Sequence, residues 1–409
     1  MAWKFPFIAK KKNIITAIDI GSSSIKGLVA QQRPDGQTLG VLTHFSLPSN
    51  GMRKGAVVDS DNVSEQIEKV VIKLKTIAKP HKLTDVYINL NGSHINSMEG
   101  YGAVAISRAD QKVSYEDIER VNQEAKNINL PFNQEILEIF PTEYIIDGQT
   151  GLTEVEGMKG IKLEVRALAV SAFSLHVKKL IDAVLSADIN IVEPIISPIA
   201  ASRAVLTAQQ KELGAAVVDI GAETTGIAVF EEKKMIHLAI LPVGSDNITR
   251  DIAIALQTDI EIAEAIKKKF GGHLFKNKRK QEKIDITDGE IFEFDSKKMV
   301  KAGRARVSEI LNLVSKELKK IKREQGLPAG IVLTGGGSNL SGLVGFTKDQ
   351  LKLPVRKGVC IDLVGMEQDS AFSVASGLAL LGADNRKSDD SGGSSSGTVF
   401  RRIFETFKP

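Results

Sequence analysis

Two carboxylates, Asp19 and Asp219, stand at the mouths of two matching turns. Residues 14–30 read Ile-Ile-Thr-Ala-Ile-Asp-Ile-Gly-Ser-Ser-Ser-Ile-Lys-Gly-Leu-Val-Ala, and residues 215–230 read Ala-Ala-Val-Val-Asp-Ile-Gly-Ala-Glu-Thr-Thr-Gly-Ile-Ala-Val-Phe. In each, an apolar arm of strand length meets Asp-Ile-Gly, a short polar turn and a second apolar arm. Gly21 and Gly221 lack the Cβ that would keep the backbone away from a ligand. Ser22, Ser23 and Ser24 in the first turn, and Ala222, Glu223, Thr224 and Thr225 in the second, bring amide and hydroxyl groups suited to phosphate oxygens. Asp19 and Asp219 cannot serve phosphate directly, because anions repel. A Mg2+ ion that keeps several of its waters would reconcile them. Taken alone, either stretch also reads as an ordinary hairpin with a polar turn.

The repeat implies two related halves, with Asp19 and Asp219 facing each other across one cleft. A third cluster follows a buried apolar run, Ile331 to Leu333, and reads Thr334, Gly335, Gly336, Gly337, Ser338. Three consecutive glycines permit flat, close contact with a planar ligand.

At 409 residues the chain exceeds what one core usually holds, so two or more domains are expected. Its 54 basic and 50 acidic residues nearly balance, and no basic strip carries interleaved aromatics, so nucleic acid is not an expected partner. The single cysteine, Cys360, rules out an intrachain disulfide and fits a reducing compartment. No run approaches the roughly 20 apolar residues needed to span a bilayer. Lysines follow the aromatics in Met1 to Lys12, the reverse of a secretory signal. Trp3, Phe5 and Phe7 read as an edge strand or a loose arm, with membrane contact as the other reading.

The positioning elements are legible as periodicities. Val63, Ile67, Val70, Val71 and Leu74 share one helical stripe, and Leu175 to Val184 repeat the pattern. Residues 85–162 change character: strand-like runs with one helix, opened by the capping pattern at Ser114, predict a small inserted α+β module. Ala200, Ala201 and Ala204 make Ser197 to Leu206 a helix suited to close backbone approach. A helix from Thr258-Asp259-Ile260-Glu261, read as a second capping box, carries Glu264, Lys267 and Lys268. A longer one, Ser296 to Glu324, begins with Lys297, Lys298, Lys301, Arg304 and Arg306, cations that oppose the positive helix start. That pattern fits an anionic partner or a merely basic surface. Asp384 to Gly397 is polar and Gly-rich and reads as a flexible tether. Beyond it Val399, Phe400, Ile403, Phe404 and Phe407 fall within about 140° of a helical wheel, opposite Arg401, Arg402, Glu405 and Lys408. This is the pattern of an interfacial membrane helix, the competing reading being a helix docked in a protein groove.

The two Asp-x-Gly hairpins and the late Gly-Gly-Gly loop resemble the actin, sugar-kinase and heat-shock-chaperone ATPase superfamily. Within it the chain resembles the bacterial cell-division FtsA family, through Asn91-Gly92-Ser93-His94-Ile95, Glu138 to Ile146 with its Phe-Pro-x-Glu-Tyr core, Leu213 to Phe230, Ala263 to Ile266 and Gly330 to Gly336. The likeness covers residues 13 to 383 and resumes at the tail. It implies an α/β, actin-like two-lobed ATPase fold with an inserted small α+β subdomain and a C-terminal amphipathic helix. The divisions would be 13–84 and 163–206 for the first lobe, 85–162 for the insert, and 207–243 and 303–368 for the second-lobe core. Residues 244–302 would form its small subdomain, 369–383 the return to the first lobe, 384–397 the linker and 398–409 the membrane helix.

The resemblance further implies ATP and Mg2+, with Asp19 and Asp219 holding the metal's waters and Gly335, Gly336, Gly337 and Ser338 against the adenine. Glu264 would accept from ribose hydroxyls, and Lys267 and Lys268 would lie against the base or phosphates. Glu193, in Glu193-Pro194, matches the place where the chaperone ATPases orient the attacking water, though it also reads as a plain helix-start carboxylate. Lys298, Lys301 and Arg304 would dock the C-terminal peptide of the tubulin-like protein FtsZ. The implied function is an actin-like protein that polymerises and tethers the FtsZ ring to the cytoplasmic face of the membrane at the septum. Anionic lipid and later divisome proteins would be its other partners. It would be an adaptor rather than an enzyme, hydrolysing ATP slowly at most. The alternatives are a pilus-assembly ATP-binding protein and a small-molecule kinase of the same superfamily.

Overall fold

The computed structural model describes residues 14–390 except 80, 82, 84, 276–280 and 286–290, with only the backbone for 387–390. The N-terminal aromatic segment and residues 391–409, the expected membrane helix among them, lie outside the described residues.

The chain opens with β1 (Ile14–Ile20), β2 (Ser24–Gln32), β3 (Leu39–Pro48), the short β4 (Met52–Arg53) and β5 (Ala56–Val57), α1 (Ser60–Ile77) and β6 (Asp85–Leu90). Then come β7 (Asn96–Ala105), α2 (Tyr115–Glu124), β8 (Gln134–Ile146), β9 (Gln149–Leu152) and β10 (Lys162–Phe173). The chain returns through α3 (Ser174–Ser186), β11 (Asn190–Ile196) and α4 (Ser197–Val205). The second half holds α5 (Ala208–Leu213), β12 (Ala215–Ile220), β13 (Thr225–Glu231), β14 (Lys234–Leu241), α6 (Ser245–Leu256) and α7 (Ile260–Phe270). It ends with β15 (Gln281–Asp285), β16 (Ile291–Asp295), α8 (Ser296–Lys320), β17 (Gly330–Thr334), α9 (Leu343–Leu351), β18 (Val355–Lys357), β19 (Leu363–Val364) and α10 (Ser373–Asp390).

Both hairpins form as expected, and each sits near the middle of its own sheet. The first lobe's sheet runs β11-β6-β1-β2-β3-β19, and the second runs β18-β17-β12-β13-β14 before continuing through β7-β10-β8-β9. Apart from Thr16 and the aspartates Asp19 and Asp219, strands β1 and β12 are apolar because both faces are covered. Helices α4 and α10 lie between the two sheets, α10 against β1, β2 and β6, and α4 against β12 and β13. Together with both inner faces they form one core, containing Ile15, Ala17, Tyr87, Ala200, Ala204, Val217, Phe230 and Leu378. On the outer face of the second sheet, Val218, Ile227 and Val229 pack with Ile252 of α6, Ile266 of α7 and Val307 and Ile310 of α8.

The insert is built as an α+β unit, but its borders differ from those read in the sequence. Strand β6 pairs in parallel with β1 (Ala17 opposite Tyr87), so it belongs to the first lobe's sheet. The insert instead takes in all of β10, which pairs with β7 and β8. An apolar run carries no mark of which sheet it joins. Helix α2 starts with the expected Ser114 capping box, completed by Asp117. It presses on Gly102, where a Cβ would lie 2.3 Å from the Val121 carbonyl oxygen. The second expected capping box is not formed, since α7 is capped at Asp259 with no side-chain hydrogen bond. Continuous α8 also runs through the 302/303 division.

Helix α10 extends through Asp390, past the expected start of the tether. Polar partners explain the extension. The Arg203 guanidinium donates to Asp384 at 2.8 Å and to Asp362 at 3.0 Å, Asn385 donates to Glu193 at 3.2 Å, and Arg386 donates to the Ile14 carbonyl at 2.7 Å. These are long-range contacts, invisible to a composition argument.

The closest approach is between α4 and α10, where a Cβ on Gly377 would lie 1.7 Å from the Ala200 carbonyl oxygen. Gly377→Ala should therefore lower stability by about 3 kcal/mol, the upper range for forcing one extra carbon into a packed core. Alanine's own helix propensity works the other way by about 1 kcal/mol. Urea unfolding checks this, and a variant as stable as the parent would show that the helices separate freely.

Candidate functional site

The two hairpins close with the same hydrogen bond, Gly21 N–H to Ser24 C=O at 3.1 Å and Gly221 N–H to Thr224 C=O at 2.8 Å. A Cβ on either glycine would meet that carbonyl oxygen, at 2.9 and 3.0 Å. Glycine is thus required by the turn's own tightness.

The halves are not equal around their carboxylates. Cross-strand from Asp19 is Lys26, whose ammonium lies 3.2 Å from Asp19 Oδ2. Asn89 on β6 donates to Asp19 Oδ1 at 2.9 Å and accepts from the Ile20 N–H at 2.6 Å. Cross-strand from Asp219 is Gly226, where a Cβ would lie 2.7 Å from Pro198 of α4. Burial, and then the negative charge of Asp19, push the Asp219 carboxyl up to about 7, while Lys26 pulls the other way. Among the described residues no group of three or more His, Cys, Asp or Glu is placed to hold a metal ion. A Mg2+ that keeps most of its waters needs only one or two carboxylates, and the poorly compensated Asp219 beside Asp19 fits that demand.

Beside the first hairpin lies an open cleft of about 1190 Å³, whose walls include no residue of the second turn. Its walls include Ser23 and Ser24, Glu264, Lys267 and Lys268 of α7, and Gly336 and Gly337. Of the three glycines, Gly336 has the freest face, its nearest neighbour being Ala371 Cβ at 3.8 Å. Gly335 has φ of 78°, and its Cβ would lie 2.2 Å from Asp219 Oδ1; on Gly337 it would lie 2.5 Å from Ile220 Cγ2. These two glycines let the loop pack behind the Asp219 strand. Ser338 is buried and donates to the Gly335 carbonyl at 2.7 Å. On α7, Glu264 accepts from Thr249 at 2.6 Å, and buried Lys267 reaches Glu264 at 2.6 Å and Thr249 at 2.7 Å. Lys268 lies 3.5 Å from Glu264 with its ammonium in solvent.

Other predicted residues are engaged elsewhere. Thr225 is buried in β13 and donates to the Val243 carbonyl at 2.8 Å. Glu223 accepts from the Lys54 N–H at 2.6 Å and from Arg250 at 2.8 Å, so its carboxylate links the first lobe to the second. Thr224 accepts from Asn91 at 3.1 Å, a second link, and Ser22 accepts from the Gly55 N–H at 3.1 Å. Ala222 packs below α6, its carbonyl accepting from the Asp246 N–H at 2.8 Å. Glu193 is not brought to the cleft: it is buried beside α10, with Asn385 as a partner. Lys298, Lys301 and Arg304 lie exposed along α8, apart from the cleft, with the Arg304 guanidinium 5.1 Å from the Phe346 ring centre. The Asp295 cap accepts from the Lys297 N–H at 2.8 Å and offsets the positive helix start.

Sequence reasoning missed Lys26, Asn89, Asn91 and Lys54. For Asn89 there was a signal, an amide inside the apolar run Val86 to Leu90, because a buried amide needs hydrogen-bond partners.

A profile of the cell division protein FtsA family matches residues 216–377, and one of the SHS2 domain inserted in FtsA matches 92–171. The cell division protein FtsA of Pseudomonas aeruginosa is 32% identical over 395 residues, covering 95% of this chain and 93% of that protein. Among solved structures, the PilM-PilN type IV pilus biogenesis complex superposes with a TM-score of 0.65 at 21% identity, covering 90% of this chain and 98% of the other. MreB5 of Spiroplasma citri bound to ADP gives 0.55 at 14% identity, covering 93% and 99%. The fold is thus actin-like and two-lobed, with an SHS2 insert.

An aspartate that ionises near 4 when unfolded and near 7 when folded opposes folding as pH rises. The penalty is absent below about pH 4 and full above about pH 7. Asp219→Asn should therefore melt higher than the parent at pH 8, with the gain fading towards pH 4. Differential scanning calorimetry across that range checks it, and a pH-independent difference would show that Asp219 carries no such charge burden.

Proposed function

Because the chain belongs to the cell division protein FtsA family, we propose that it is an ATP-binding, polymerising adaptor that holds an FtsZ ring against the cytoplasmic face of the membrane. The observation that carries the nucleotide part is the pair of matching hairpin turns, whose carboxylates Asp19 and Asp219 act on each other's charge, next to a cleft walled by Ser23, Ser24, Gly336 and Gly337. Ser22, Ser23, Gly21 and Gly221 would receive the phosphates, and Asp19 and Asp219 would hold the waters of a Mg2+ ion. The metal would supply charge neutralisation between carboxylate and phosphate. Glu264 and Lys268 would face the ribose and base, opposite Gly336. MreB5 bound to ADP has the same fold, which supports nucleotide at this cleft.

Partner contacts follow from charge and apolarity. Lys298 and Lys301 form no ion pair among the described residues, leaving a basic edge on α8 for the C-terminal peptide of FtsZ. No helix among the described residues is long and apolar enough to cross a membrane. Attachment would use Val399, Phe400, Ile403, Phe404 and Phe407, with Arg401, Arg402 and Lys408 towards anionic headgroups. Polymerisation would make successive insertions intramolecular and multiply a weak single anchor. Later divisome proteins would meet the insert.

Gly336→Trp should abolish ATP binding in calorimetry without moving the unfolding midpoint, since its Cβ would make only ordinary contact with Ala371 and the ring would extend into the cleft. Retained tight binding would displace the nucleotide from this cleft. For the adaptor role, flotation with anionic vesicles should carry the protein and a labelled FtsZ C-terminal peptide upward together. Phe404→Glu should leave both at the bottom, and Lys301→Glu with Arg304→Glu should float without the peptide. Flotation of Phe404→Glu, or peptide retained by the charge-reversed protein, refutes the corresponding contact.

A further inference from the structure

The polar side chains of the second turn are committed away from the cleft. Thr224 accepts from Asn91, Thr225 donates to the Val243 carbonyl, and Glu223 accepts from the Lys54 N–H. Helix α6 stands directly on this turn, its Ser245 N–H donating to the Gly221 carbonyl at 2.9 Å and its Asp246 N–H to the Ala222 carbonyl at 2.8 Å. What the second lobe's side chains can offer a phosphate chain beside this turn therefore comes from α6.

Four residues of α6 line the cleft: Ser245, Asp246, Thr249 and Arg250. Ser245 is uncharged, Asp246 carries the wrong sign, and Thr249 is engaged by Glu264 and Lys267. Arg250 is the cation among them. Its side chain is 53% exposed, and a single N–H donates to Glu223 Oε1 at 2.8 Å. A guanidinium has five N–H groups in a planar fork, so most of its donors face solvent and cleft. The other cations of the wall stand on α7, the helix that would face the ribose and base: Lys267 is buried against Glu264, and Lys268 and Lys269 follow it.

We propose that Arg250 is the second lobe's side-chain ligand for the phosphate chain, and that Glu223 holds it in reserve until phosphate oxygens displace the carboxylate from the guanidinium. This rests on the nucleotide reading above and deepens it. An exposed ion pair made through one N–H is a weak hold. A guanidinium fork meets a multiply charged phosphate in two parallel charge-assisted hydrogen bonds, so the exchange favours the ligand. Glu223 keeps the Lys54 N–H at 2.6 Å through its other oxygen, Oε2, and the fastening between the lobes survives the exchange.

Titration calorimetry of the full chain with Mg-ATP and with adenosine tests this, because adenosine has the base and ribose without the phosphates. Arg250→Gln should weaken ATP binding roughly tenfold, the loss of one charge-assisted contact, and leave adenosine binding unchanged. Arg250→Lys should recover part of the loss. Glu223→Gln keeps an acceptor for the Lys54 N–H but removes the competing charge, so it should tighten ATP binding and leave adenosine alone. ATP held by Arg250→Gln as tightly as by the parent would overturn the proposal and leave the nucleotide reading standing. An equal loss of ATP and adenosine would overturn it too, by showing general damage to the cleft. Weaker ATP binding in Glu223→Gln would make Glu223 a support of the site and refute its role as competitor. A parent that binds neither ligand would take the nucleotide reading down as well.

Discussion

Helices α4 and α10 cross with almost nothing between their backbones, and both hairpin carboxylates depend on that crossing. Ser197, the first residue of α4, accepts from Asn89 Nδ2 at 3.1 Å and donates to the Leu90 carbonyl at 3.1 Å, and Asn89 in turn holds Asp19. At the start of α10, the hydroxyls of Ser373 and Thr334 are hydrogen-bonded, and Thr334 leads into Gly335, which backs Asp219. Each helix is thus coupled at its N-terminal end to the strand end that carries one aspartate. The Gly377 to Ala200 contact fixes the spacing of the helices, and through them the spacing of the charges.

The two hairpins match in sequence, and packing makes them different. Pro198 of α4 presses on Gly226, the position that in the first hairpin holds Lys26. The first carboxylate keeps a cation and the second loses its counterpart. A protein-held charge of low compensation beside a compensated one is a site with room for a further cation. In the second turn, Glu223 faces the Lys54 amide and Arg250 rather than open cleft, so one tip of the repeat also fastens the lobes.

What was legible in the sequence was local. Asp-Ile-Gly between apolar arms specifies a hairpin, the spacing of Val63, Ile67 and Val70 specifies a buried helical stripe, and Ser114 with Asp117 specifies a helix start. What escaped was pairing between distant segments. Nothing in Val86 to Leu90 names β1 as its neighbour, and nothing around Asp384 names Arg203, so the insert's border and the end of α10 were both misplaced. Glu193 looked chemical because of the proline beside it, yet its surroundings are set by Asn385, almost two hundred residues away. Asn89 carried the opposite lesson, since an amide in an apolar strand is a visible demand for partners whose identity only the fold supplies.

The insert is threaded into the first half of the chain, yet its sheet adjoins the second lobe's. Asn96 of β7 pairs with Ala239 of β14, and the Ser97 hydroxyl donates to the Leu238 carbonyl at 2.6 Å. A pull on the outer edge of the insert would travel along a nine-stranded sheet to β12 and β17, the strands that carry Asp219 and lead into the glycine loop. Mechanically the insert is a lever on the far wall of the cleft, fastened by covalent bonds to the near one.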